Sequence, residues 1–221
     1  MREISAFDVI GPIMVGPSSS HTAGALKIAK IASKLTREKI TSVKFRLYGS
    51  FAKTYGGHGT DRALLAGILG MDTDDPNIRN SFEIARERGV EFLFETDPGE
   101  TEFHPNTVEI TVGFDGGELF LRGSSIGGGE VEITNINGTD ISFSGRYNAV
   151  LIYQKDVPGV VAFVSKVFEK HGINIAFMQV YRDGDRAYSI VEIDGTPSDD
   201  FIAEMEKMPA IISVRYFHIA G

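Results

Sequence analysis

The segment Ala149-Val150-Leu151-Ile152-Tyr153-Gln154 is an apolar run of strand length, and the loop Asp156-Val157-Pro158-Gly159 follows it. A helical apolar pattern over 160–170 then ends at Gly172. The order strand-helix-strand-strand-helix-strand is typical of a ferredoxin-like fold, which we therefore predict for residues 148–221. Its remaining elements are predicted at 174–182 (strand), 186–193 (strand), 198–207 (helix) and 211–219 (strand).

Residues 1–147 carry a different pattern, which predicts a separate mixed domain of helices and strands. Apolar residues at helical spacing follow Thr22, and an alternation over 43–48 predicts a strand. The predicted fold class is therefore α/β of the α+β kind, in two domains that meet near residue 147. Further helices are predicted over 61–70 and 76–88, and strands over 90–95, 107–114, 118–123, 130–136 and 139–144.

The composition excludes several classes of protein. The 221 residues carry a formal net charge of −8 and an isoelectric point near 5.2, so nucleic acid and anionic membranes are poor partners. No apolar run reaches the roughly 18 residues of a spanning helix, and Met1-Arg2-Glu3 does not open a secretory signal, which predicts a cytoplasmic protein. Cysteine is absent, which excludes disulfides, thiolate nucleophiles and an iron–sulfur cluster ligated by this chain.

The first polar motif is Ser18-Ser19-Ser20-His21-Thr22, which precedes the first predicted helix. Free backbone N–H groups, three hydroxyls and the helix dipole converge at such a position, which suits a carboxylate or a phosphate. The alternative is a helix N-cap, in which one serine accepts from an amide and the others are solvated. Three consecutive serines followed by His-Thr favour the anion site.

The second polar motif, Gly56-Gly57-His58-Gly59-Thr60-Asp61, follows Tyr48-Gly49-Ser50-Phe51 between a predicted strand and a predicted helix. Functional loops of α/β folds commonly lie at such positions. The flanking glycines allow a ligand to approach the backbone beside His58 closely. In the alternative, Asp61 or Thr60 caps the next helix and His58 is a solvated loop residue.

The third polar motif is Phe103-His104-Pro105-Asn106-Thr107. Because the proline stiffens this segment, His104 is a candidate base or metal ligand and Asn106 a candidate group for holding a polar substrate. The alternative is a turn with a surface histidine. His104, together with His21 and His58, suits proton abstraction near pH 7 or a three-histidine zinc site, although the local HExxH spacing is absent.

Three glycine-containing segments are weaker candidates. Gly123–Gly129 lacks the dinucleotide and P-loop spacings, so a bulged link between strands is predicted there. In the second domain, the loop 156–159 and the segment 172–175 are predicted to lie at adjacent strand ends, where backbone amides could hold a small amino acid. The alternative for these two is a Pro-Gly turn and a helix-ending glycine.

The sequences Ser18-Ser19-Ser20-His21-Thr22-Ala23-Gly24, Gly-His-Gly-Thr-Asp at 57–61 and His-Pro-Asn at 104–106 resemble, in this order, the β subunit of bacterial iron–sulfur L-serine dehydratases. The resemblance covers essentially the whole chain. It implies an allosteric-substrate-binding-type domain over 1–147 and an ACT domain over 148–221. It also implies a lyase that deaminates L-serine to pyruvate and ammonia, together with an α subunit whose cysteines hold a [4Fe-4S] cluster.

The resemblance implies roles for individual residues as well. His58 and His104 are then catalytic, and no metal ligand is expected in this chain. Because the open edges of an ACT sheet need a partner or cover, a homodimer of β subunits is predicted. The implied substrate-binding residues are Ser18, Ser19, Ser20, His21, Thr22, Gly59, Thr60, Asp61 and Asn106. The implied effector-binding residues of the ACT domain are Asp156, Pro158, Gly159, Asn174 and Ile175.

Two other classes of protein remain open from the residues alone. One is a non-catalytic, ACT-regulated amino-acid sensor whose first domain binds an anion without chemistry. A pure sensor has no need of His58 and His104, so these histidines discriminate the two hypotheses. The other class is a metal-dependent hydrolase, which requires stoichiometric metal in the isolated chain.

Overall fold

The structure is a computed structural model that describes Gly16 and residues 18–36, 38–100, 102–144 and 147–217. It divides into two compact units, one ending at Gly138 and the other beginning at Thr139. The predicted domain boundary at 147/148 differs from this division, which places the strand that begins at Thr139 in the second unit. The boundary therefore stays a prediction. The last two residues of the predicted strand 211–219 lie outside the described part of the chain.

The first unit combines a sheet with helices on one face. Helices α1 and α3 pack against each other, and α1 lies on β3, β4 and β5. The strand order is β2-β1-β3-β4-β5, in which β1 and β2 are parallel and the other pairs antiparallel. The helices and strands are α1 Ala25–Leu35, β1 Ile40–Tyr48, α2 Gly49–His58, α3 Thr60–Ile68, α4 Ser81–Glu87, β2 Glu91–Asp97, β3 Thr107–Phe114, β4 Gly117–Gly127 and β5 Glu130–Ile136, with a π-helical turn Ser19–Gly24 and a 3₁₀ turn Pro76–Asn80.

The hydrophobic pattern explains which faces are buried. In β1, Val43, Phe45 and Leu47 are buried, whereas Lys44 and Arg46 on the opposite face are exposed. This is the period-two alternation from which the strand was predicted. Along α1 the apolar residues at helical spacing are buried in the same way, which confirms the predicted helix.

Two predictions about local structure were wrong. The segment 49–58, predicted as a loop, is helix α2, because Phe51 and Ala52 bury one side of it and its glycines Gly56 and Gly57 do not interrupt it. The helix ends at Gly59, whose φ of 70° lies in the left-handed region. The strand predicted over 118–123 continues to Gly127, with bulges in its pairing to β5.

The second unit confirms the predicted ferredoxin-like fold. Its four-stranded sheet has the order β10-β7-β9-β8, and neighbouring strands are antiparallel. Its core includes Val164, Phe168 and Phe201 on the helices and Val150 and Val191 on the strands. The elements are β6 Thr139–Phe143, β7 Asn148–Lys155, α5 Val160–Lys170, β8 Ile175–Asp183, β9 Arg186–Ile193, α6 Asp199–Met205 and β10 Ile211–Phe217.

Candidate active site

The first motif folds as the π-helical turn, which leads directly into α1. Ser18 caps this turn: its carbonyl accepts from the Thr22 N–H at 2.9 Å, and its Oγ accepts from the His21 N–H at 3.4 Å. π-helical turns are rare and occur frequently at functional sites. The N-cap alternative is therefore right for Ser18, but it does not account for the contacts of Ser20 and His21.

The imidazole of His21 has hydrogen-bond partners at both nitrogens. Its Nδ1 lies 3.3 Å from Ser18 Oγ and 3.2 Å from Ser20 Oγ, and its Nε2 lies 3.1 Å from Ser50 Oγ. A serine hydroxyl can donate or accept, so it serves either protonation state of a ring nitrogen. Since Ser50 belongs to α2, this ring joins the first motif to the segment that carries the second.

His58, the last residue of α2, meets the His21 ring edge to face. The two ring centroids are 5.0 Å apart, and Phe51 contacts the His21 ring at 5.3 Å. Burial, and secondly the charge of His58, lower the pKa of His21. The lowered pKa favours the neutral form of the His21 ring beside His58.

The third motif is attached to the first turn of α2. The N–H groups of Ser50 and Phe51 donate to the Pro105 carbonyl at 2.7 and 3.2 Å. Gly49 has a φ of 51°, and a Cβ there would lie 2.8 Å from Pro105 Cα, so only glycine allows this approach. The structure thus brings the three predicted motifs together around α2.

His104 is exposed, as the surface-histidine alternative predicted, but its ring is oriented. Its Nδ1 accepts from the Asn106 N–H at 3.1 Å, and its carbonyl accepts from Thr107 Oγ1 at 2.7 Å. A neutral imidazole that accepts at Nδ1 carries its proton on Nε2. Neutral His104 therefore presents an N–H donor rather than a free basic nitrogen.

Asn106 and Ser125 bridge the start of β3 to β4. The Ser125 N–H donates to the Asn106 carbonyl at 3.0 Å, and Asn106 Nδ2 donates to the Ser125 carbonyl at 3.4 Å. This orientation turns Asn106 Oδ1 away from Ser125's carbonyl. The bridge also lies against the end of the π-helical turn, since a Cβ on Gly24 would lie 2.1 Å from Ser125 Oγ.

Five buried side-chain atoms have no hydrogen-bond partner within the part of the chain that the structure describes. Buried polar atoms in proteins are nearly always hydrogen-bonded, so each exception needs an explanation. All five belong to the three motifs or to the bridge between Asn106 and Ser125, which makes this region the candidate polar ligand site. The atoms are Thr22 Oγ1, His58 Nδ1, Thr60 Oγ1, Asn106 Oδ1 and Ser125 Oγ.

Replacing Thr60 by valine is expected to stabilise the protein. Thr60 is fully buried and its hydroxyl has no partner among the described residues, whereas valine has the same shape without the hydroxyl. Removing an unsatisfied buried hydroxyl should raise the free energy of unfolding by about 1–3 kcal/mol, measured by chemical denaturation.

The matched control for Thr60→Val is Thr107→Val. Thr107 is equally buried, but its hydroxyl contacts the His104 carbonyl and Ser124 Oγ, each at 2.7 Å. The control should therefore destabilise the protein. Destabilisation by Thr60→Val would contradict the assignment of an unsatisfied hydroxyl.

The alternative in which Asp61 or Thr60 caps helix α3 is wrong. Gly59 occupies the N-cap position, and no side chain makes a capping hydrogen bond there. Asp61 accepts from the Arg62 N–H at 2.8 Å, and burial raises the pKa of its carboxyl. Thr60 and Asp61 are thus available for a role other than capping.

The sequence analysis missed two residues of the site. Ser50 lies in the quoted segment Tyr48-Gly49-Ser50-Phe51, but no histidine or serine cluster distinguishes it there. Ser125 lies in the glycine-rich stretch, where the predicted bulge is confirmed. A lone serine gives no signal in a sequence, because its hydrogen-bond partners come from distant segments.

The two predicted effector-binding segments do not lie together within one chain. Lys155 is level with Arg186 in the β7–β9 pairing, while Asn148 and Ile175 are both level with Ile193. Because β7 and β8 run in the same direction, the loop after β7 and the segment before β8 lie at opposite ends of the sheet. The predicted adjacency was therefore wrong.

Each segment has its own polar contacts. In the loop after β7, Asp156 forms an ion pair with Arg182 at 2.9 Å, whereas Pro158 and Gly159 are exposed. In the segment before β8, Asn174 Nδ2 donates to Asp194 Oδ2 at 2.8 Å. These contacts hold both segments to the ends of the sheet.

The predicted zinc alternative finds no geometric support. Within the described ranges, no three His, Asp or Glu side chains are arranged so that they could hold a metal ion.

None of the helices that the structure describes has the length and apolarity that crossing a membrane requires.

The site and the fold can now be compared with known proteins. A ferredoxin-like second unit that matches the ACT domain family over residues 149–210 defines an ACT-domain protein. Residues 5–90 match the family described as serine dehydratase beta chain. The chain belongs to this serine dehydratase beta chain family, which confirms the resemblance stated from the motifs.

Two individual relatives agree with this assignment, and a third has the name of a different enzyme. The probable L-serine dehydratase, beta chain, of Bacillus subtilis (strain 168) is 42% identical over 216 residues, which are 97% of this chain and 98% of the relative. The L-serine dehydratase, beta chain, of Peptoniphilus asaccharolyticus is 48% identical over 176 residues, 79% of each chain. A D-3-phosphoglycerate dehydrogenase of Archaeoglobus fulgidus is 30% identical over 200 residues, 88% of this chain but 37% of the relative.

Proposed function

We propose that this chain is the β subunit of an L-serine dehydratase, a lyase that deaminates L-serine to pyruvate and ammonia together with a cysteine-bearing α subunit. The observation that carries the proposal is the convergence of His58, His21 and the third motif on one cluster of unsatisfied buried polar atoms. The names of the two beta-chain relatives supply the substrate.

His58 is the residue that we assign as the general base. Its Nδ1 is buried without a partner among the described residues, whereas Nδ1 of His104 already accepts from the Asn106 N–H. In the proposed reaction His58 takes the proton from Cα of serine and returns it to the β-hydroxyl, which leaves as water. The resulting aminoacrylate rearranges to an imine, which water hydrolyses to pyruvate and ammonia. His104 contributes its Nε2–H as a hydrogen-bond donor.

The substrate's charged and polar groups have candidate partners in the same region. The π-helical turn and its serines, Ser18, Ser19 and Ser20, offer hydroxyls and backbone N–H groups for the carboxylate. Thr22, Thr60 and Asn106 each offer an unsatisfied oxygen. The other proposed substrate-binding residues are His21, Gly59 and Asp61.

The chain's donor set does not fit an iron–sulfur cluster, since the sequence contains no cysteine. In the proposal the [4Fe-4S] cluster is therefore held by cysteines of the α subunit.

The ACT domain is proposed to bind an amino-acid effector through Asp156, Pro158, Gly159, Asn174 and Ile175. Because the two segments that contain these residues lie at opposite ends of one sheet, both can touch one effector only when two copies of the chain meet. This geometry supports the predicted homodimer of β subunits. The proposal keeps the cytoplasmic location predicted from the sequence.

Co-expression with a cysteine-bearing partner and anaerobic purification test the proposal. The two-subunit protein should convert L-serine to pyruvate, and this chain alone should bind no cluster and show no turnover. The control uses a partner whose cysteines are replaced by serine. Turnover by the isolated chain, or its absence from the loaded complex, would overturn the proposal.

A second candidate is a non-catalytic amino-acid sensor. It is favoured because this chain also matches 37% of a D-3-phosphoglycerate dehydrogenase, whose name gives a different reaction. A complex that binds L-serine in calorimetry but never produces pyruvate would support this candidate instead.

A further inference from the structure

Ser50 is the residue that joins the three motifs of the site. It lies half-buried in the first turn of α2, and its Oγ is 3.1 Å from His21 Nε2. Its N–H donates to the Pro105 carbonyl at 2.7 Å, and its own carbonyl accepts from Thr54 Oγ1 at 2.9 Å. No other hydrogen bond between described residues joins the His21 ring to α2, the helix that ends at His58.

The two ends of the His21 ring are held differently. Nδ1 contacts two hydroxyls of its own turn, Ser18 and Ser20, which follow the ring if the turn moves. Nε2 contacts only Ser50 among the described residues, and Ser50 is fixed through its backbone to Pro105. The Ser50 hydroxyl therefore determines where the far end of the ring points, and with it the edge-to-face contact with His58.

We propose that Ser50 is a positioning residue for the reaction. Its hydroxyl fixes the orientation of His21, and the His21 ring in turn holds His58 where it takes the substrate's proton. The inference rests on the proposed function, because it names how that site keeps its base in place. It assigns Ser50 no contact with the substrate.

The kinetic test uses the two-subunit enzyme and three variants. Ser50→Ala should lower kcat for serine by about 10- to 100-fold, because a small misplacement of a catalytic group can cost up to about 10²-fold. KM should stay within about twofold of the wild-type value, since Ser50 does not touch the substrate. Ser50→Thr, which keeps the hydroxyl, should recover most of the loss.

Thr54→Ala is the matched control, because it removes a hydroxyl from the same helix that bonds only to the Ser50 carbonyl in the described contacts. It should leave kcat and KM unchanged. If Ser50→Ala does not fold, Ser50→Cys keeps the side-chain volume, weakens the hydrogen bond and carries the same test. A wild-type kcat in the alanine or cysteine variant, or no recovery in Ser50→Thr, would overturn the inference.

A second readout requires no turnover. The imidazole ¹⁵N resonances of the full chain report the tautomer of each histidine. Ser50→Ala should shift the His21 and His58 resonances and leave His171, on the second unit, unchanged. Unchanged His21 resonances would overturn the inference. If the wild-type complex does not deaminate serine, the proposed function fails, and these resonances still decide whether Ser50 fixes His21.

Discussion

His58→Ala is expected to lower kcat for serine deamination by about 10²- to 10⁴-fold, the usual loss when a general base is removed. The reason is geometric: His58 Nδ1 is a buried nitrogen without a partner among the described residues, beside a His21 whose pKa is lowered by burial. The KM for serine should change much less. Steady-state pyruvate formation by the two-subunit enzyme measures both quantities.

Two comparison variants show whether the loss of kcat is specific to His58. His104→Ala removes a donor and the acceptor of the Asn106 N–H, so a smaller loss of kcat and a higher KM are expected. His171→Ala is the control, because His171 contacts Glu204 in the second unit. Each variant must still bind the proposed α subunit, and the complex must retain the proposed cluster. Near wild-type turnover of His58→Ala would place the base elsewhere.

The second large effect is expected at Gly24. A Cβ there would lie 2.1 Å from Ser125 Oγ and 2.7 Å from Ser125 Cβ, distances that no side chain tolerates. Gly24→Ala should therefore push the π-helical turn away from β4 and break the Asn106–Ser125 bridge. We expect a loss of about 1–3 kcal/mol in the free energy of unfolding, as for other overpacked cores, and a severe loss of turnover.

Gly56→Ala is the matched control for Gly24→Ala, because a Cβ on Gly56 would meet no atom within 4 Å. This substitution within helix α2 should leave the protein as stable or slightly more stable. The double variant Gly24→Ala with Ser125→Gly restores the missing space, so its stability should exceed the sum of the single effects. Strict additivity in this cycle would show that the two residues are not in contact.

The sequence predicted the elements of the fold better than the contacts within the candidate site. The three motifs, the ferredoxin-like order of the second unit and the helix after Thr22 followed from residue types and spacing. Helix α2 did not, because Gly56 and Gly57 are typical of loops and only the tertiary burial of Phe51 outweighs that preference. The contacts of Ser50 and Ser125 arise from chain segments far apart in sequence. The relative position of the effector segments depends on the directions of β7 and β8 in the sheet, which the order of elements along the sequence does not give.

The π-helical turn has a consequence for deletions in this segment. A π turn closes i→i+5 hydrogen bonds and so holds an additional residue compared with an α-helical turn. Deleting one residue between Ser18 and Gly24 would therefore let the turn close as an α-helix without rotating α1 and its buried residues Ile28 and Ala32. The contacts that Ser18 and Ser20 make with the His21 ring lie within the shortened turn, so the deletion should disrupt the candidate site while it leaves the core intact.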